Sequence, residues 1–212
     1  MIDKYTRIAK DLLLNSVVRL FARLGITPLK VTVLGFIAGT AAAAAAAFGY
    51  WTAALLLWFF NRILDGIDGS LARKTGTVQE YGAYLDIMLD FVVYAALPIG
   101  IALGVSDMLI GEFLWQSVSL LLAAYYINSA SWMYISAIQE KRSMMPETPT
   151  SIAMPAGIIE GTETILFYTL ALIFTEYAVI IFFIFALLVL LTAVVRAAWW
   201  IRNELIMLNL PS

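Results

Sequence analysis

Residues 65–90 read DGIDGSLARKTGTVQEYGAYLDIMLD, which sets Asp65, Asp68, Asp86 and Asp90 among glycines at regular intervals. Asp65 and Asp68 are three apart and Asp86 and Asp90 four apart, so on helices each pair shares one face. The flanks are apolar: WTAALLLWFF (51–60) runs in from one side and FVVYAALPIGIALGV (91–105) runs out from the other. The four carboxylates therefore stand at the inner ends of two segments of membrane-spanning character, where ionised groups are costly and are kept for use. Turned toward each other, the two faces would form a cage of carboxylate oxygens. Like charges at that density do not all stay ionised without cations between them. Hard oxygen donors suit one or two Mg²⁺ or Mn²⁺ ions, with Ca²⁺ a poorer match for a catalytic role. The spacing thus predicts a metal site at a membrane surface, built from Asp65, Asp68, Asp86 and Asp90.

The rest of the chain agrees with a membrane setting. Of its 212 residues, 62% are hydrophobic and 13% charged, and the mean hydropathy is +0.89. A soluble domain is nearer half apolar and a quarter charged, so the expectation is an all-α polytopic membrane protein forming a single domain over 1–212. The chain has no cysteine and no histidine. Thiol chemistry is excluded, and acid–base work falls to Asp, Glu, Lys or Tyr.

Hydropathy predicts six spans, near 30–49, 52–73, 82–104, 114–139, 155–174 and 178–202, together a six-helix bundle over 30–202. Glu160 and Glu163 interrupt the fifth. Residues 1–24 lack the pattern of a signal peptide. On a helical wheel Ile2, Ala9, Leu13, Val17, Leu20 and Leu24 fall opposite Lys4, Arg7, Asp11, Asn15 and Arg19, which predicts an amphipathic helix lying in the membrane interface. Basic residues cluster before the first span, around Arg62, Arg73 and Lys74, at Lys141 and Arg142, and at Arg196 and Arg202. The alternate links, around 49–51, 105–113 and 175–177, carry no Lys or Arg. By the positive-inside rule both termini and the aspartates face the cytoplasm. Gly35-x3-Gly39 followed by Ala41–Ala47 predicts close helix packing.

The spacing D-x2-D-G-x2-A-R-x8-G-x3-D-x3-D resembles the signature of the CDP-alcohol phosphotransferases, integral membrane enzymes of phospholipid synthesis. Asp65, Asp68, Gly69, Ala72, Arg73, Gly82, Asp86 and Asp90 occupy all of its fixed positions. The resemblance implies that Asp65, Asp68 and Asp86 hold the ions on the pyrophosphate of a CDP-linked donor, with Asp90 also near the metal and acting as general base. It implies a nucleotide pocket formed by Asp65, Gly69, Ala72, Arg73 and Gly82. Pro28 and Thr32 match a further motif before the first span, where Leu29 replaces the family's asparagine. The implied reaction takes a donor, CDP-diacylglycerol above all, and a hydroxyl acceptor, and releases CMP. The resemblance also implies a homodimer in a bacterial inner membrane, among membrane lipids and with no nucleic-acid partner.

Acceptor recognition is expected from Lys141, Arg142, Glu160 and Arg196, the charges of the later spans. Where members that use phosphorylated acceptors commonly have an arginine after a glutamate, this chain has Gly161 after Glu160. Glu160 and Glu163 would share a helical face, which leaves a cationic or polyol acceptor open. Transfer of a phosphoalcohol from CDP-choline or CDP-ethanolamine to diacylglycerol is the alternative within the family. Outside it stand a cation transporter, a catalytically silent scaffold, or helix-end carboxylates paired with Arg62, Arg73 and Lys74. A transporter site belongs near the midplane on broken helices or between repeats, and the sequence has no internal repeat. Simple charge pairing explains neither the glycines nor the regular gaps.

Overall fold

A computed structural model describes residues 15–77, 79–105, 111–143 and 157–208, and every regular element among them is helical. Helix α1 occupies 15–23, followed by α2 (Pro28–Ala47), α3 (Trp51–Thr75), α4 (Glu80–Val105), α5 (Gly111–Ser143), α6 (Gly161–Ile173) and α7 (Ala178–Leu208). A 3-10 turn, Thr175–Tyr177, leads into α7. Pro28 starts α2, where its fixed φ suits the first turn and its missing N–H costs nothing. Among the described residues three stretches, Pro28–Ala47, Glu80–Val105 and Thr175–Ile206, are long and apolar enough to cross a membrane. Helices α3 and α5 have the length, 25 and 33 residues, but polar residues dilute their hydropathy.

Helices α2 to α7 fall on the six expected segments, with the start of the fifth and the end of the sixth each displaced by six residues. The fifth segment was expected to be helical from 155, yet 157–160 are not helical and α6 begins at Gly161. The two glutamates are the cause. Glu160 is the N-cap, its side chain accepts the Glu163 N–H, and the Glu163 carboxylate accepts the Glu160 N–H at 3.0 Å. This reciprocal capping box satisfies orphan donors of the first turn. Glu160 also accepts the Gly157 N–H at 3.1 Å. Glu160 therefore stands at the start of α6 and not within a helical face shared with Glu163. With 13 residues, α6 rises about 20 Å, less than the ~30 Å of a bilayer's hydrocarbon core.

Most of the expected interfacial helix, residues 1–14, lies outside the described residues. Its last part, 15–23, is helical and docks on α3 by burying Val18 against Leu64, Ile67 and Leu71. Val17, Leu20 and Leu24 remain exposed, on the side expected to meet lipid.

Helix α2 packs along both α3 and α4, α5 packs along α7, and α6 bridges α3, α4 and α7. The small residues of α2 serve this packing. A Cβ on Gly39 would lie 2.7 Å from both Val93 methyls, while one on Gly100 or Gly104 of α4 would meet the carbonyl of Ala43 or Ala46. The close approach predicted for Gly35-x3-Gly39 is thus made inside the chain. Trp58, Tyr168, Phe182 and Phe185 fill the centre of the core. Outward, Ile180, Ile184, Leu187, Leu191 and Val194 form an exposed stripe down α7 at helical spacing, a surface suited to lipid.

Candidate active site

The aspartates are brought together by the reversal between α3 and α4. Helix α3 stops at Gly76, whose φ of 66° and N–H bond to the Ala72 carbonyl make a left-handed C-cap. The basic Arg73 and Lys74 occupy its last turn, where cations are favoured. The chain returns through Thr77 and Gln79, and Gly82 N–H bonds to the Gln79 carbonyl at 3.1 Å as α4 begins. Asp65 and Asp68 of α3 and Asp86 and Asp90 of α4 then line a single small cavity, together with Thr32 and Gly35 of α2.

Beside this cavity lies a wider cleft of about 340 Å³. Pro28, Leu29 and Thr32 of α2, Asp68, Gly69, Ala72 and Arg73 of α3, and Gly82 and Asp86 of α4 line it. Every residue expected to bind nucleotide is there except Asp65, which faces only the smaller cavity. Thr32, Asp68 and Asp86 line both and so mark the junction. A Cβ on Gly82 would meet nothing within 4 Å, and one on Gly69 only the Arg73 guanidinium at 3.3 Å. Neither glycine serves a helix crossing. Both leave room in the cleft.

Asp68 and Asp90 are each oriented by protein donors. Asp68 accepts the Thr32 hydroxyl at 2.8 Å through Oδ2 and the Gly69 N–H at 2.6 Å through Oδ1. Asp90 Oδ1 accepts the Arg62 guanidinium at 2.8 Å, and Asp65 Oδ2 lies 3.8 Å from the same group. Among the described residues, no three acidic side chains are set around one point as the ligands of an ion. The four aspartates are therefore assembled but not arranged as a ready-made cage; Thr32 holds Asp68, while Arg62 holds Asp90 and approaches Asp65. Their chemistry still fits a hard divalent cation: four carboxyl groups, all oxygen donors, line one cavity.

Arg62 had appeared in the sequence only as a marker of orientation or a general charge partner. Its spacing of three from Asp65 inside an apolar run was the available signal. The acceptor residues assemble less fully. Neither the cleft nor the aspartate cavity includes Lys141, Arg142, Glu160 or Arg196. Lys141 is exposed. Arg142 is turned to Glu204 at the end of α7, donating to both carboxylate oxygens at 2.6 and 2.8 Å, with its guanidinium 5.3 Å from the Trp200 ring centroid. Arg196 is buried and donates to the Asn128 carbonyl and side-chain oxygen at 3.1 and 2.9 Å.

The family model for CDP-alcohol phosphatidyltransferases matches residues 25–200. The chain belongs to that family. Its members transfer substituted phosphate groups, and the chain is a transferase of this kind. It is 33% identical over 200 residues to the inner membrane protein YnjF of Escherichia coli (strain K12), spanning 92% of this chain and 93% of that one. The archaetidylinositol phosphate synthase of Pyrococcus horikoshii is 33% identical over 118 residues, 56% of this chain and 60% of the synthase. In fold, the chain resembles the Mycobacterium tuberculosis phosphatidylinositol phosphate synthase crystallised with CDP-DAG, with a TM-score of 0.70 at 23% identity over 86% of this chain and 90% of that one. The same synthase crystallised with manganese and citrate gives 0.68 at 23% identity, covering 86% of each chain.

Proposed function

We propose that this transferase uses CDP-diacylglycerol as donor, passing its phosphatidyl group to a hydroxyl acceptor and releasing CMP with the help of one or two Mg²⁺ or Mn²⁺ ions. The observation that carries this reading is the junction of the cleft with the aspartate cavity through Thr32, Asp68 and Asp86. A nucleotide in the cleft would have its pyrophosphate at that junction. The complex of the related M. tuberculosis synthase with CDP-DAG supports the donor, and its complex with manganese supports the ion.

The residues divide the work as follows. Gly69 and Gly82 give the cytidine access to the helix backbones, and Arg73 at the cleft wall offers planar donors to phosphate. Asp65, Asp68 and Asp86 would hold the ions, with Asp90 one turn further along α4. When bound, the ions neutralise charge developing on the pyrophosphate. The acceptor oxygen attacks the β-phosphorus, the bond from that phosphorus to the bridging oxygen breaks, and CMP departs. The acceptor's proton passes to the Asp90 carboxylate, the general base. The acceptor enters from the cytoplasmic side into a pocket formed by α4 to α7 and flanked by Lys141, Arg142, Glu160 and Arg196.

In this reading α2 to α7 supply six spans of a bacterial inner membrane, the fifth made up of α6 with the non-helical 157–160 before it and the 3-10 turn after it; α1 lies in the interface, and the aspartates and both termini face the cytoplasm. The exposed α7 stripe and the inner-membrane relative support it. Two copies form a homodimer, each with its own site. The test is thermal stability of the purified full chain with CDP-diacylglycerol or CDP-amino alcohols, in Mn²⁺ and in chelator. A shift only with CDP-diacylglycerol and Mn²⁺ is expected; no shift with any of these nucleotides would end the proposal.

A further inference from the structure

At the edge of the aspartate cavity stands a cation for which the proposed transfer names no role. Arg62 is 5% exposed and lies one helical turn before Asp65. Its Nε donates to Asn61 Oδ1 at 2.6 Å, one terminal nitrogen to the Tyr94 hydroxyl at 2.7 Å, and the other to Asp90 Oδ1 at 2.8 Å. The nitrogen that meets Tyr94 is also the one 3.8 Å from Asp65 Oδ2. The guanidinium carbon lies 4.8 Å from the Trp58 ring centroid and 5.1 Å from that of Tyr94. Asn61 is itself held, donating to the Gly35 carbonyl at 2.9 Å. A guanidinium tied in three directions and bracketed by two rings is fixed in place, and it touches carboxylates from both motif helices.

We propose that Arg62 is a positioning residue for the transfer: it occupies Oδ1 of Asp90, leaving Oδ2 to receive the acceptor's proton, and competes as a built-in cation with the divalent ion for Asp90 and Asp65. This rests on the reading of the aspartates given under the proposed function. The competition has an unusual sign. Removing one partner of a buried ion pair leaves the other charge uncompensated, and here a divalent ion stands close enough to compensate it. Loss of Arg62 therefore strengthens ion binding while turnover falls, because Asp90 is no longer held. Lysine keeps the charge but has one compact ammonium in place of a planar fork, so it preserves the competition and not the orientation.

The test uses the full chain in lipid nanodiscs, with Mn²⁺ binding read by the resonance of free ion and turnover by CMP release from CDP-diacylglycerol. For Arg62→Met, Mn²⁺ should bind about tenfold tighter. Its kcat should fall about a hundredfold, with KM for the donor within about threefold of the parent. For Arg62→Lys, Mn²⁺ affinity should stay within about threefold while kcat still falls at least about tenfold. In an Asp90→Asn background, Arg62→Met should change kcat by less than about threefold, because the group it positions is gone. Weaker Mn²⁺ binding by Arg62→Met, multiplicative kcat losses in the double variant, or full turnover by Arg62→Lys would each overturn the proposal. If Arg62→Met does not fold, the Arg62→Lys result decides it. If the parent chain binds no Mn²⁺, the proposed function falls as well; if the parent binds and turns over, only the role of Arg62 is at stake.

Discussion

A leucine at Gly82 should leave the chain as stable as before or slightly more so, and make it much poorer at binding its donor. Gly82 is the third residue of α4, and a Cβ there meets no atom within 4 Å. Glycine costs a helix about 0.5–1 kcal/mol relative to alanine, and leucine is nearly as good a helix former. Part of that cost is recovered in a first turn, so the expected gain is about 0–0.5 kcal/mol. The side chain would project into the cleft of about 340 Å³ that also contains Asp68, Arg73 and Asp86. Crowding a filled site by this much costs about 1–3 kcal/mol, which is about 5- to 150-fold in donor affinity. Thermal unfolding without ligand and a cytidine nucleotide titration in Mn²⁺ measure the two effects separately. Gly39→Leu is the control with the opposite outcome, since its Cβ falls 2.7 Å from the Val93 methyls. A Gly82→Leu protein that loses stability yet binds donor normally would refute the assignment of Gly82 to the nucleotide.

Asp68→Asn and Asp86→Asn should abolish metal-dependent nucleotide binding, because an amide is a weaker ligand for a hard cation; Asp90→Asn should keep binding and lose about 10²–10⁴ in turnover. Equal affinity losses in all three would contradict that division. Gly100→Val should destabilise the chain by at least about 1–3 kcal/mol, since its Cβ meets the Ala43 carbonyl and forces α4 off α2; unchanged unfolding would count against the crossing described. Glu204→Gln should cost less than about 1 kcal/mol at neutral pH, given a half-exposed, screened pair. Unfolding of parent and variant measured at neutral pH should agree within that margin, and a larger gap would contradict the reading of a screened pair.

What the sequence made legible was periodic and local. The three- and four-residue gaps of Asp65, Asp68, Asp86 and Asp90 fixed their faces, and apolar run lengths fixed six helical segments to within a few residues at most ends. Glycines that leave space cannot be told from glycines that pack until neighbours are known. Gly69 and Gly82 proved open whereas Gly39 and Gly100 proved tight. The charges were harder still. Glu160 and Glu163 were read as a helical face, but the same three-residue spacing makes a capping box when the helix starts between them. Arg142 was read toward an acceptor and instead meets Glu204, 62 residues away, a pairing with no local signature. Arg62 combined both difficulties. Its bond to Asp65's helix neighbourhood was local, but its hydrogen bond to Asp90 depends on how α3 meets α4.

The most direct test of the account is CMP release by the purified full chain from CDP-diacylglycerol in Mn²⁺, with a panel of acceptors: glycerol 3-phosphate, inositol, inositol phosphate, serine and phosphatidylglycerol. CDP-choline and CDP-ethanolamine with diacylglycerol form the reverse arrangement. The account predicts CMP release from CDP-diacylglycerol with at least one acceptor, lost in chelator and in the Asp86→Asn protein. Release only in the reverse arrangement, or release that survives both chelator and Asp86→Asn, would contradict it.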